Sequence, residues 1–284
     1  MAGIVITIQH PKDRPYTNDE LYYLAILFTV VKVLFMKGSL SVLRGMTRLL
    51  DPCYKDRDLH KTLIRNEAAY YVTISRLMTI DINPVPASPK FIYFASDSHC
   101  LTPAWRSIQY KGSTHFIHPM LATGCKIWHL RPEGMFYPKE NFFTIMKRVP
   151  KKSTVIFNLG EIDCREGIIY AVDKCKYDSL EEGINKVIEI YLTVVKKLKS
   201  LKRLKVFIHP VNPVMDITRQ IVIKFNAMLK EAVEQTDGMT WLDFVDDLLV
   251  GSDRCLDPQY YLDETHLHPH YLPLLETALN RKTS

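Results

Sequence analysis

The sequence predicts an α/β protein, with a central parallel sheet of about five strands wrapped by helices and a small helical segment in front of it. Short runs rich in β-branched and aromatic residues alternate with long amphipathic stretches, which is typical of a sheet buried on both faces. The predicted strands cover residues 91–95, 126–130, 154–159, 204–208 and 239–244. The clearest helices cover residues 180–198 and 217–235, and a last helix is expected through residues 269–279.

Composition excludes several classes of protein. The chain has 284 residues, of which 47% are hydrophobic and 24% charged, as in soluble globular proteins rather than disordered or fibrous ones. A net charge of +6 is too small to indicate a nucleic-acid-binding protein by itself. The six cysteines form no Cys-x-x-Cys pair and the chain has no Asn-x-Ser/Thr sequon, so a reducing, cytoplasmic location is expected.

The first 87 residues predict a helical prefix. An irregular lead-in of about twenty residues is followed by helices expected near residues 17–36, 40–50 and 59–78. The sixteen-residue apolar stretch 21–36 contains Lys32 and is shorter than the ~20 residues that span a bilayer, which favours a buried helix over a membrane anchor. The helix–glycine–helix pattern resembles half of a tetratricopeptide unit, and such a prefix would offer a surface to a protein partner.

A proline-rich linker ends the prefix. Residues 83–89 (NPVPASP) contain three prolines and cannot continue a helix. The predicted domains are therefore residues 1–87 and 88–284.

Residues typical of catalytic sites follow the predicted strands. Since the carboxyl ends of parallel strands meet at one edge of the sheet, these residues are expected to form a site there. Ser98 follows the first strand, and Asp263 and His266 precede the last helix. A serine hydroxyl becomes nucleophilic when a histidine takes its proton, and a carboxylate holds that histidine. The segments concerned are SDSH (96–99), GCK (124–126), GEIDCR (160–165), HPVNP (209–213) and DETH (263–266).

Three of these segments resemble sequence blocks of the SGNH, or GDSL-like, hydrolase superfamily. FIYFASDSHC (91–100) is similar to the first block, NLGEIDCR (158–165) stands at the Gly-x-Asn-Asp block, and YLDETHLHP (261–269) is similar to the last. The resemblance covers about residue 90 to the C-terminus. It implies a flavodoxin-like three-layer fold without a cofactor, and ester hydrolysis or acyl transfer through Ser98, with His266 as base and Asp263 orienting it. The amides of Ser98 and Gly124 would then bind the oxyanion.

The sequence departs from the family pattern at two positions. Ser96 replaces a glycine, which a turn tolerates, and Asp163 stands where the family has an asparagine. A carboxylate there would repel an oxyanion. Asp163 is therefore expected to turn away and pair with Arg165, to be protonated, or to leave Arg165 to supply positive charge. The segment indicates a specialised substrate, with an anionic or sugar group held by Arg165.

Some of these residues also allow structural or non-catalytic interpretations. His266, His268 and His270 alternate as in a zinc site, but Pro269 interrupts the strand that such spacing needs, and no metal is predicted. Glu161, Asp163 and Arg165 could form a structural ion-pair loop, and His209 is expected to be a buried structural imidazole. The lysine-rich end of the long helix, residues 196–205, is expected to be a solvated face rather than a nucleic-acid surface.

The prediction from sequence is a serine hydrolase acting on an ester, with an O-acylated carbohydrate or lipid as the substrate. An acyltransferase using the same site, or a binding module that has lost its chemistry, are the alternatives.

Overall fold

The computed structural model describes residues 14–174 and 176–281, which form two compact units that divide between Ile82 and Asn83. The expected lead-in falls mostly on residues 1–13, which lie outside this range, as does Cys175.

The N-terminal unit contains three helices: α1 (Asn18–Met36), α2 (Leu40–Tyr54) and α3 (Arg65–Thr79). A capping box begins α1, because the Thr17 side chain accepts from the Glu20 amide while the Glu20 carboxylate accepts from the Thr17 amide. The buried residues of α1 recur every three or four positions, so only one stripe of the helix faces the core. They are Leu21, Leu24, Phe28, Val31 and Phe35.

The helix expected at residues 21–36 is present, but it is buried along this stripe only. Apolar side chains on the other side of α1 are exposed, among them Tyr23 and Ile26. No helix of the described residues is long and apolar enough to cross a membrane.

The other two prefix helices differ from their predicted bounds. α2 continues through Pro52 to Tyr54 instead of ending at Leu50, and the Lys55 amide still donates to the Asp51 carbonyl. The stretch expected as one helix from residue 59 to 78 is divided into a 3-10 turn, Leu59–Lys61, and α3. Tyr71 of α3 joins all three helices, because its ring stacks on Phe28 and its hydroxyl donates to Asp51.

The second unit is built on a six-stranded mixed sheet with helices on both sides. The strands are β1 (Phe91–Ser96), β2 (Ser107–Tyr110), β3 (Ser113–Leu121), β4 (Thr154–Asn158), β5 (Lys205–Ile208) and β6 (Met239–Trp241). They lie in the order β2-β3-β1-β4-β5-β6, and all neighbours are parallel except the β2–β3 pair. The parallel strands thus follow the flavodoxin-like order, second-first-third-fourth-fifth, with the switch point between β1 and β4. The predicted α/β class is confirmed.

One predicted strand is wrong, and two strands of the sheet, β2 and β3, were not predicted. Residues 126–130 form no strand, and Ile127–Leu130 is a 3-10 helix. The second parallel strand is β3, which carries His115, His118 and Pro119 and so lacks the usual strand composition. It follows β2 through a two-residue turn, Lys111-Gly112, in which both residues have positive φ as a type I′ hairpin requires.

The remaining elements surround the sheet and extend the core. Val155, Ile156 and Phe157 at the centre of β4 are completely buried, as expected for a strand covered on both faces. A short hairpin pairs β7 (Leu249–Val250) with β8 (Cys255–Leu256). The helices are α4 (Tyr137–Arg148), α5 (Glu161–Glu166), α6 (Ile168–Asp173), α7 (Leu180–Lys202), α8 (Arg219–Glu234) and α9 (Leu272–Asn280).

Candidate active site

Ser98 lies just beyond the carboxyl end of the central strand β1. Asp97 caps the 3-10 helix Ser98–Leu101, because its carboxylate accepts from the His99 amide at 3.1 Å. The Ser96 hydroxyl donates to the same carboxylate at 3.1 Å. Asp97 and His99 are buried, whereas Ser98 is half-exposed. The turn therefore holds the serine hydroxyl where a ligand in the crevice of the sheet could reach it.

Ser98, His266 and Asp263 form one hydrogen-bonded chain. His266 Nε2 lies 2.9 Å from Ser98 Oγ, although 168 positions separate the two residues. His266 Nδ1 lies 2.9 and 3.0 Å from the two carboxylate oxygens of Asp263. Since Asp263 can only accept, Nδ1 donates, which leaves the Nε2 lone pair free to accept the serine proton.

The loop that carries His266 and Asp263 is fixed by backbone bonds. Asp263 Oδ1 accepts from the amides of Thr265 and His266 at 2.9 and 2.8 Å. Burial by itself would raise the pKa of Asp263. The His266 ring and these two amides lower it by more than burial raises it, so the pKa is below its ordinary value. Asp263 is therefore ionised at neutral pH, as the partner of a histidine base must be.

The alternating histidines do not share one ligand geometry. Both ring nitrogens of His266 are engaged by Ser98 and Asp263, while His268 Nδ1 accepts from the His270 amide at 3.2 Å.

A chain of buried polar side chains packs against the ring of His266. His99 packs edge-on against His266, with 5.1 Å between ring centroids. Asn212 Nδ2 donates to His99 Nδ1 at 3.1 Å, and Asn158 Nδ2 lies 3.4 Å from Asn212 Oδ1 and 2.7 Å from His209 Nδ1. Burial lowers the pKa of His99 to about 4 and that of His209 to about 3, so both rings are neutral at physiological pH. His209 is thus buried, as expected.

Glu161 places a buried carboxylate on the other side of His99. It is 2% exposed, its Oε1 lies 3.1 Å from Arg165 Nε, and its Oε2 lies 4.0 Å from His99 Nε2. Burial raises the pKa of Glu161 to about 7, against the opposing effect of Arg165. Arg165 also pairs with Glu166 at 3.2 Å, so two carboxylates share its charge.

Asp163 has a different role from the predicted one. It is completely buried, and its two oxygens accept from the amides of Ile127 and Trp128 at 2.7 and 3.0 Å. It therefore caps the 3-10 helix that replaces the predicted strand. The expected pairing with Arg165 is wrong, because both oxygens of this carboxylate accept from the two amides while Arg165 pairs with Glu161 and Glu166. Burial raises its pKa to about 6, and the two amide bonds limit the rise.

Gly124 lies in an exposed turn after β3, with φ of +61°. Two residues earlier, the Ala122 amide donates to the Ser96 carbonyl at 2.8 Å, which holds the start of this turn against the end of β1. Its assignment as an oxyanion donor stays a prediction.

Asp97, His99 and Glu161 are the described residues that could surround a metal ion, with ligand atoms within 4.8 Å of one another. His99 Nδ1 accepts a hydrogen bond from Asn212, so its neutral ring carries the proton on Nε2 and presents a donor toward Glu161. Arg165 already compensates the Glu161 charge. These three residues are therefore better suited to hydrogen bonds among protein groups than to the binding of a metal ion.

Sequence analysis missed the supporting chain of His99, Asn158 and Asn212. The signal was present, because each residue lies at or just after a strand end, in SDSHC, NLGEIDCR and HPVNP. The sequence does not show that these three segments lie next to one another in the fold.

Distant structural likenesses exist. An acylhydrolase from Bacteroides fragilis has a TM-score of 0.43 over 71% of this chain and 89% of its own, at 13% identity. A protein described as a platelet activating factor from Streptococcus pneumonia has 0.45 over 73% and 89%, at 13% identity. A GDSL-like lipase from Bacteroides thetaiotaomicron has 0.40 over 73% and 93%, at 13% identity.

A likeness of this degree assigns neither a reaction nor a substrate to the chain. No family model matches the sequence, and no curated protein matches it significantly.

Proposed function

We propose that this protein is a serine hydrolase that cleaves an ester through an acyl-enzyme. The observation that carries the proposal is the 2.9 Å contact between Ser98 Oγ and His266 Nε2, with Asp263 on the far nitrogen of the ring. A serine, a histidine and a carboxylate in this order are able to activate the hydroxyl at neutral pH.

In the proposed reaction His266 takes the Ser98 proton as Oγ forms a bond to the ester carbonyl carbon. The carbonyl oxygen becomes an oxyanion, which the amides of Ser98 and Gly124 would stabilise, with a further contribution from the Arg165 charge. The C–O bond then breaks, and His266 gives its proton to the departing alcohol. Water, deprotonated by the same ring, attacks the acyl-enzyme, and the carboxylic acid leaves as the proton returns to Ser98.

The proposed substrates are O-acylated carbohydrates or lipids, and Arg165 is proposed to contact the substrate. An acyltransferase would use the same steps with an alcohol in place of water. A binding module without chemistry is disfavoured, because a binding role needs no ionised Asp263 and no serine-histidine contact.

Labelling with a fluorophosphonate probe tests the proposal, since the probe forms a covalent bond only with an activated serine. Wild type is expected to label, while Ser98→Ala and His266→Ala lose labelling by at least a hundredfold. His268→Ala is the matched control, because this half-exposed neighbouring imidazole contacts neither Ser98 nor Asp263 in the described hydrogen bonds.

The folded state of each variant is checked by its thermal unfolding midpoint. A folded wild type that does not label, or labelling that survives Ser98→Ala, would contradict the proposal. The first result would favour the binding module.

A further inference from the structure

A cavity of about 780 Å³ is lined mainly by residues that follow β3 and β4 in the chain. We call it the aromatic cavity, because four of its wall residues are Trp128, Phe136, Tyr170 and Tyr177. Its other lining residues include the apolar Ile168, Ala171 and Val187 and the charged Lys126, Glu166, Lys174 and Lys176.

The chain topology places this cavity next to Ser98. Its lining comes mainly from two parts of the chain, residues 126–136, which follow β3, and residues 163–174 with 176–177, which follow β4. β3 and β4 are the two strands that flank β1 in the sheet, and Ser98 follows β1. Both cavity walls therefore leave the same sheet edge as the serine, one on either side of it.

Helix α5 connects the two features. At its beginning, Glu161 lies 4.0 Å from His99, whose ring packs against His266. At its end, Glu166 lines the cavity and pairs with Lys126 at 3.5 Å. Arg165 contacts both glutamates, and Lys126 is two residues from the Gly124 turn. Helix α5 therefore has one end at the buried chain that contacts His266 and the other end at the cavity wall.

The walls determine the chemistry of a ligand. Trp128 is 37% exposed and Tyr170 61%, so part of each ring is accessible to a ligand. The Arg131 guanidinium lies over the Trp128 ring, 4.4 Å from its centre, and Tyr177 packs edge-on against it at 6.3 Å between centroids. A cavity of this volume accommodates a group of drug-like size, far larger than an acetyl group. Since apolar and aromatic side chains predominate, the bound group is apolar.

The lining carries three lysines against two carboxylates. Lys126 is compensated by Glu166, whereas Lys174 and Lys176 line the cavity and are exposed, and Lys174 lies 5.5 Å from the centre of the Tyr170 ring. Asp163 faces the cavity but is buried and bonded to two amides. The excess of cations favours a ligand that carries a negative charge.

We propose that the aromatic cavity binds the non-reacting part of the substrate, and that this part is an apolar group joined to an anionic group. This inference rests on the proposed function, because the bound molecule is a substrate only if the protein is a hydrolase. Binding of the molecule itself does not require catalysis. It narrows the proposed ester to an amphipathic anionic one, with the apolar portion against Trp128 and the anionic portion near Lys174 and Lys176.

The binding test uses the full-length Ser98→Ala protein, which cannot form an acyl-enzyme, and decanoate as the probe. Titration calorimetry is expected to show saturable binding to one site. Trp128→Ala in the same background should weaken binding at least tenfold, and Tyr170→Ala serves as a second variant if the first does not fold. Tyr137→Ala is the matched control, because this side chain is 75% exposed and is not part of the cavity lining.

Charge is tested separately. Lys174→Ala with Lys176→Ala should weaken decanoate binding several-fold in low salt, and less at high salt because of screening. Lys196→Ala with Lys197→Ala, two exposed lysines on α7, is the control and should leave it unchanged. Decyltrimethylammonium, with the same chain length and the opposite charge, should bind more weakly than decanoate.

Fluorophosphonate labelling of wild type separates this inference from the proposed function. Labelling without decanoate binding, or binding that the Trp128 and Tyr170 substitutions do not change, overturns the cavity assignment and leaves the hydrolase intact. Binding without labelling overturns the hydrolase and leaves an anionic-amphiphile site. If decanoate slows the labelling of wild type, and slows that of Trp128→Ala less, the result supports both the hydrolase and the cavity assignment.

Discussion

The Asp263→Asn substitution tests whether the histidine tautomer controls the nucleophile. An asparagine oxygen can still accept from the amides of Thr265 and His266, which the structure places at 2.9 and 2.8 Å. Its amide nitrogen then replaces the other carboxylate oxygen, 3.0 Å from His266 Nδ1. Since that nitrogen only donates, it can bond the ring only if Nδ1 accepts, and the ring proton then lies on Nε2, so that Ser98 faces a donor instead of an acceptor. The retained oxygen, 2.9 Å from Nδ1, still permits the reactive tautomer, but without the ionic partner and with the new amide nitrogen unbonded.

The size of the effect follows from the bonds that change. The reactive tautomer in the variant loses a charge-assisted bond of about 1.5–3 kcal/mol and leaves a buried donor unsatisfied at about 1–3 kcal/mol. Each 1.36 kcal/mol is tenfold in rate, so labelling by a fluorophosphonate should slow by about two to four orders of magnitude.

The assay is the second-order labelling rate at pH 8, with thermal unfolding as the test of folding. Asp257→Asn is the matched control, because Asp257 also accepts from an amide two residues ahead, that of Gln259 at 3.0 Å, but has no described contact with the triad. Its labelling rate should equal that of wild type. A folded Asp263→Asn protein that labels within threefold of wild type would refute the tautomer argument.

Three further predictions concern stability and reactivity. Because burial raises the pKa of Asp163 to about 6, the folded protein binds a proton more tightly than the unfolded chain and loses stability as pH rises from about 4 to 6. The difference in unfolding free energy between wild type and Asp163→Asn, measured with denaturant, should therefore shrink by up to about 3 kcal/mol between pH 4 and pH 7. A difference that does not change with pH would contradict this. Gly160→Ala should destabilise the fold by about 2–5 kcal/mol, since φ is +128° and the new methyl group would meet a neighbouring side chain at 2.9 Å. Gly112→Ala is the control and should cost about 1 kcal/mol, because its φ is +72° but the space around it is open. Equal costs for the two substitutions would disprove the steric argument. In native-state alkylation followed by mass spectrometry, exposed Cys255 should react before buried Cys164, whose pKa burial raises, and the reverse order would be inconsistent with the described burial.

The sequence by itself determined the alternation of strands and helices and the residues of the proposed triad. Asp263 and His266 are three positions apart, so their contact is local, and the Ser98 turn follows a strand whose composition is unambiguous. The two compact units divide between Ile82 and Asn83, at the start of the proline-rich stretch 83–89 and five residues before the predicted boundary.

Tertiary structure decided what local pattern could not. β3 is a strand because β1 and β2 pair with it, despite its histidines and its proline. Residues 127–130 turn into a 3-10 helix whose first amides are satisfied by Asp163, 36 positions away in sequence from Ile127.

The same reason applies to the site. The 2.9 Å contact of Ser98 with His266 and the aromatic cavity between the segments after β3 and β4 both depend on strand order. Hydrophobic periodicity specifies which face of an element is buried, but it does not specify which elements become neighbours. That pairing is set by long-range packing, and it converts scattered polar residues at strand ends into one site.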